Sequence, residues 1–215
     1  MRSLHCIGGI VIVALVFAPT ATFGVIIVDY GWEDGGTILG QYSDIDAYNV
    51  VAPDPVLSGD HSLKLVDQAA SGTPQAYVAW ITGLADGDVV DASFWRYDTT
   101  PGASPSARIW AHWNDDPGDV YGYNGSAGGN SDYGPETGWD QVAWSWTVAD
   151  GHTGLIVEVR TYSAAGDTVW IDDLQVIAPD HATIQVPVPE PATLLLFALG
   201  ALTTTRSFRR STSRQ

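Results

Sequence analysis

The chain has one cysteine, Cys6, and one lysine, Lys64. Cys6 sits in an apolar stretch at the N terminus that reads as a removable leader, so the mature chain has no thiol. Disulfide staples and thiol chemistry are thereby excluded. Basic side chains are scarce throughout. Between Val25 and Val186 only Lys64, Arg96, Arg108 and Arg160 stand against 24 acids, a net charge of −20. Such a surface repels nucleic-acid phosphates and argues against a nucleic-acid partner. It suits an exported protein that stays soluble or takes up divalent cations. The same segment has no sustained helical period. It has no Gly-x-Ser-x-Gly elbow and no phosphate loop. Asp44-Ile45-Asp46-Ala47-Tyr48 lacks the glycine and distal glutamate of an EF-hand. His61, His112, His152 and His181 fall at no metal-ligand spacing, and only His112, in Trp110-Ala111-His112-Trp113, is attractively placed.

What the chain does have is strand signal. The stretches 76–81, 89–97, 107–113, 142–148, 154–162 and 168–176 are rich in β-branched and aromatic residues, and turn sequences such as Ser58-Gly59-Asp60 and Ala149-Asp150-Gly151 separate them. Alternation assigns faces. Val142, Trp144, Trp146 and Val148 share one side, and Leu155, Val157 and Val159 oppose Glu158 and Arg160. Short strands with frequent turns predict an all-β antiparallel sandwich or barrel over 25–186, one domain long enough to bury a core without staples. Residues 114–138 break the pattern with a long polar insertion, the signature of a functional loop or a disordered one; Tyr121, Tyr123 and Tyr133 weigh against full disorder.

The ends read as addresses. Arg2, the apolar run Cys6 to Ala18, and small residues around Ala21 and Gly24 have the layout of a signal peptide over 1–24. Toward the C terminus, Ala192 to Thr205 is free of charge and is followed by Arg206, Arg209 and Arg210. A spanning helix wants ~20 apolar residues, so the run reads either as a short transmembrane anchor with its arginines cytoplasmic or as an apolar helix docked on the domain. Pro187, Pro189 and Pro191 keep the preceding backbone extended and open to a protease. The order Val188-Pro189-Glu190-Pro191, apolar run, basic end resembles the PEP-CTERM sorting signal, here over 187–215. The resemblance implies a Gram-negative source, export, a membrane-anchored stage, cleavage near Pro-Glu-Pro by the membrane protease exosortase, and release or attachment at the cell surface or extracellular matrix.

The middle of the chain is similar to jelly-roll carbohydrate-binding modules with galactose-binding-like folds. The likeness rests on Asp29-Tyr30-Gly31-Trp32-Glu33-Asp34-Gly35, Ser58 to Leu65, Gly83 to Val89 running into Ser93-Phe94-Trp95, and Val169 to Leu174. It implies a structural calcium (Ca2+) held by Glu33, Asp172 and the loop at Asp60. The alternative is that these acids cap turns or face solvent. Sugar binding needs exposed rings flanked by polar groups. On strand 89–97, Asp91, Ser93, Trp95 and Tyr97 face away from Val90, Ala92 and Phe94, which makes Asp91, Trp95 and Tyr97 candidates, with Trp113 from another strand. The competing reading puts most of the nine tryptophans in the core. With 24 acids a carboxylate pair of hydrolase spacing arises by chance, so their number carries no case for catalysis. The expectation is an exported, non-catalytic surface or matrix protein that binds polysaccharide. A small polysaccharide hydrolase or lyase, and a purely structural biofilm component, are the alternatives.

Overall fold

Alternation of apolar and polar side chains dictates sheets with one face inward, and the chain folds accordingly. In this computed structural model residues 24–134 and 136–188 are described; the signal peptide, the Pro189–Pro191 motif and the apolar tail lie outside them. One six-stranded sheet runs β3 (Ile45–Val50), β4 (Ser62–Asp67), β11 (Thr168–Pro179), β6 (Val89–Asp98), β9 (Gly138–Thr147), with β1 (Val25–Tyr30) on the C-terminal half of β11. The other runs β12 (Thr183–Gln185), β5 (Gln75–Thr82), β10 (Gly154–Tyr162), β7 (Ser106–Trp113), β8 (Ser126–Gly129), with β2 (Gly40–Tyr42) on β5. Every pairing is antiparallel. The two sheets, called first and second below, stack into a β-sandwich.

The core lies between them. Leu63, Leu65, Val90, Phe94, Ile171 and Val176 from the first sheet meet Val78, Ile81, Ile109, Leu155, Val157 and Val159 from the second, all fully buried. They are the inward members of alternating runs whose phase is reset by irregularities in the β5–β10 and β6–β11 pairings, and burying such side chains is the main force closing a sandwich that has no disulfide. Arg96 pins one end. On the inward parity of β6, its guanidinium donates to Asp140 (2.9 Å), to the Ala107 carbonyl (2.8 Å) and to the Asp132 carbonyl (2.8 Å), tying both sheets to the 130–134 loop. Trp144 shares the parity of the buried Val142 and Trp146 on β9 but is itself exposed.

Candidate functional site

Two outward faces carry polar and aromatic side chains. On the first sheet, Asp91, Ser93, Trp95 and Tyr97 of β6 stand opposite Ser145, Ala143, Gln141 and Trp139 of β9. Trp95, Ser93, Gln141 and Gln175 line a groove of about 490 Å³, and Asp91 lines an adjoining one of about 360 Å³. Tyr97 is wedged edge-on between Trp139 and Trp170 at 5.5 and 6.0 Å, so its ring serves packing as well as surface. The structure thus brings Asp91, Trp95 and Tyr97 onto one face. Trp113 does not join them. It lies on β7 of the second sheet, with inward parity, and stacks on His152 at 4.7 Å.

The residues assigned to calcium by resemblance surround the 57–61 loop, but their oxygens are engaged otherwise. Glu33 Oε1 accepts the backbone N–H groups of Asp60 (3.0 Å) and His61 (3.1 Å). Asp172 Oδ2 accepts those of Leu57 (2.9 Å) and Ser58 (3.3 Å), while Oδ1 accepts the N–H of Asp173 (2.8 Å). Gly59, at φ +62°, permits this contact, since a Cβ there would lie 2.2 Å from Glu33 Oε1. Among the described residues no three His, Cys, Asp or Glu side chains converge; a calcium here would draw on the two acids and backbone carbonyls of the 57–61 loop. In this structure the acids staple a loop.

The second sheet carries the arrangement that the sequence reading missed. Glu158, Arg160 and Ile156 point outward from β10, opposite Trp110, Arg108 and His112 of β7 and beside Tyr77 and Gln75 of β5. Glu158 is fully buried although it faces away from the core. Its Oε2 accepts from Arg160 Nε at 2.8 Å, its Oε1 meets His112 Nδ1, and the Gln75 amide, turned to satisfy its hydrogen bonds, donates to both oxygens at 3.0 and 3.2 Å. A lone carboxylate could not sit there; three donors offset its desolvation. His112 Nε2 has no partner among the described residues. Burial and the neighbouring Glu158 carboxylate push the Tyr77 phenol up to about 12. Arg160 lies over Trp110 at 4.6 Å, and Arg108 is sandwiched between Tyr133 and Tyr162 at 3.6 and 3.9 Å.

What covers this floor is the polar insertion. Its asparagines and aspartates fold it by capping their own backbone: Asn114 Oδ1 accepts from Asp116 N, Asp116 Oδ1 from Gly118 N, and Asp119 Oδ1 from Tyr121 N. Asp115 fastens it to the next turn through Thr153 N (2.8 Å) and His152 Nδ1 (3.0 Å). Partial burial of the Asp115 carboxyl works upward, but the Thr153 N–H and His152 outweigh it and hold the group below the usual carboxylate range. The strap so formed sets Tyr121 6.3 Å from Tyr77 and Tyr123 5.5 Å from His112. Both rings are largely exposed, at 61% and 67%, as is Tyr42 from β2, which pairs with Gln75, at 60%. The signal was readable: Glu158-x-Arg160 and Trp110-x-His112 on outward parities, and closely spaced tyrosines in a loop of turn-forming residues.

The described chain runs into its last recognisable feature at Pro187, whose carbonyl oxygen accepts the Tyr30 hydroxyl at 2.6 Å. Residues 187–211 match the family model described as the PEP-CTERM protein-sorting motif. The chain carries a PEP-CTERM sorting signal. The signal indicates export and processing at the C terminus by an exosortase-type protease. Among the described residues no helix is long and apolar enough to cross a membrane. No curated protein matches the chain in sequence. Solved structures similar to it include the CBM22-1 xylan-binding domain of Paenibacillus barcinonensis Xyn10C, at 16% identity, TM-score 0.49, over 74% of this chain and 97% of that one. The family 30 carbohydrate-binding module of a Clostridium thermocellum cellulosomal cellulase is similar at 13%, TM-score 0.44, over 69% and 96%. So is the K1 adhesin domain of Lys-gingipain from Porphyromonas gingivalis, at 12%, TM-score 0.43, over 70% and 97%.

Proposed function

We propose that this PEP-CTERM-sorted chain is a non-catalytic polysaccharide-binding protein of the cell surface or extracellular matrix, and that it binds through the outer face of its second sheet. One observation carries the reading: of five exposed aromatic rings among the described residues, three, Tyr42, Tyr121 and Tyr123, gather on the outer side of the second sheet, above the network of Glu158 and His112, which is itself buried. Sugar rings stack on exposed aromatic faces, while hydroxyls take directional hydrogen bonds from fixed polar groups. Tyrosine supplies such area at low entropic loss. The strong negative charge of the domain favours a neutral glycan over a polyanion. Both oxygens of Glu158 are engaged by neighbouring donors, which supports a binding role over a catalytic one.

The groove at Trp95 supports a second reading, in which the glycan lies on the first sheet. Calorimetric titration with soluble neutral polysaccharides, xylan among them, separates the two. Tyr121→Ala and Tyr123→Ala are each expected to weaken binding about tenfold, ~1.4 kcal/mol, with unchanged melting, whereas Trp95→Ala leaves it intact. Loss on Trp95→Ala alone would move the site to the first sheet. Release of reducing ends during the titration would make the protein an enzyme. Calcium at the 57–61 loop is separable from all this. An ion that displaced the amides from Glu33 and Asp172 would raise the melting temperature relative to chelator, and equal melting would remove it from the account.

A further inference from the structure

After β11 the chain crosses to the second sheet, adds β12 to the edge of β5, and packs Ile184 and Val186 against the core. Pro187 is then buried where β1 ends, and Val188 N turns back to Val186 O at 2.7 Å. Beyond it Val188 is 60% exposed.

The receiving loop is held by contacts of its own, independent of the tail. Trp32 is fully buried and its indole N–H donates to the Thr37 carbonyl at 2.9 Å. Asn49 Nδ2 donates to the carbonyls of Trp32 (2.6 Å) and Gly36 (3.0 Å). Gly36 leaves the space the tail fills: a Cβ there would lie 1.4 Å from the Pro187 oxygen and 2.4 Å from the Tyr30 hydroxyl. No side chain at 36 can coexist with the docked tail. Tyr30 has one hydroxyl proton and two acceptors, Pro187 O at 2.6 Å and Asp34 Oδ1 at 2.7 Å. When the tail leaves, the proton still has Asp34, so undocking strands no buried donor. The contact is built to open.

We propose that the loop 30–36 is a docking site for the chain's own C-terminal tail, which grips the backbone at Pro187 and limits access of the processing protease to the adjoining motif. The Pro-Glu-Pro motif begins two positions after the gripped residue in the sequence, and two residues of extended chain reach no more than ~7 Å. Proteases act where backbone is exposed and not hydrogen-bonded, and a cleft that takes extended chain on both sides of the scissile bond needs residues 184–188 released.

The test expresses the full chain with the exosortase-type protease and follows tail removal by pulse–chase and mass. Tyr30→Phe removes the hydroxyl and keeps the ring; Gly36→Ala fills the space. Both are expected to speed processing several-fold and to speed amide exchange at 184–188 while β5 and β10 stay protected. Faster exchange with unchanged or slower processing would overturn the gating role. Unchanged exchange at 184–188 in both variants would overturn the docking itself.

Discussion

Glu158→Ala is expected to destabilise the sandwich by ~3–5 kcal/mol, the range for removing one partner of a buried charge pair. Glu158 is fully buried, and its loss leaves Arg160 Nε, His112 Nδ1 and the Gln75 amide without their acceptor beneath a strap that excludes water. The penalty comes from the donors left behind more than from any net attraction lost. Glu158→Gln, which keeps the volume and one acceptor, should therefore recover a good part of the loss. Denaturant unfolding monitored by tryptophan fluorescence reads both. A loss below ~1 kcal/mol for the alanine variant would mean that water reaches the floor and that the network is not sealed.

Asp172→Ala is expected to lose about 2–4 kcal/mol by a different route. The Asp172 carboxylate is fully buried and accepts three backbone N–H groups, from Leu57, Ser58 and Asp173. A buried hydrogen bond contributes ~0.5–1.5 kcal/mol and a stranded donor costs somewhat more. Burial pushes this carboxyl up, against the amides of Leu57, Asp173 and Ser58, which pull it down. Asp173 sits at φ 48° in the irregular stretch between Asp172 and Gln175, where β11 shifts register against β6, and its carboxylate takes the Ser58 hydroxyl at 2.7 Å. Releasing the staple should free the 57–61 loop before the sheets part. Exchange at Leu57 and Ser58 should rise ahead of global unfolding; simultaneous loss would show the loop and the core to be one cooperative unit.

The long strands were legible because their alternation survives at the level of single residues. β10 puts Leu155, Val157 and Val159 inside and Glu158 and Arg160 outside, as its sequence says. β6 likewise turns Asp91, Ser93, Trp95 and Tyr97 away from the core. The three- and four-residue strands β2, β8 and β12 carry no such pattern, since edge strands of that length take their conformation from the neighbour they pair with. Parity also stops at the single strand. It could say that Trp110 and Trp113 face opposite ways, but not that β7 belongs to the sheet opposite β6, which is why Trp113 is absent from the Trp95 face.

The same limit hid the second sheet's floor. An outward Glu158 looks like an ordinary solvated charge until the 114–125 strap is seen to fold back over it, and that closure depends on contacts as remote as Asp115 with Thr153. Tyr121 and Tyr123 were visible as aromatic residues in a polar loop; their position above His112 and Tyr77 was not. Glu33 and Asp172 both lie against the 57–61 loop, where each accepts backbone amides.

The central claim is that glycan lies across the strap tyrosines of the second sheet. Hydroxyl-radical footprinting of the purified chain, with and without saturating neutral oligosaccharide, tests it most directly. Protection of Tyr42, Tyr121 and Tyr123 with Trp95 and Tyr97 unchanged is the predicted result. Protection at Trp95, or no protection of any ring by any glycan, would contradict it.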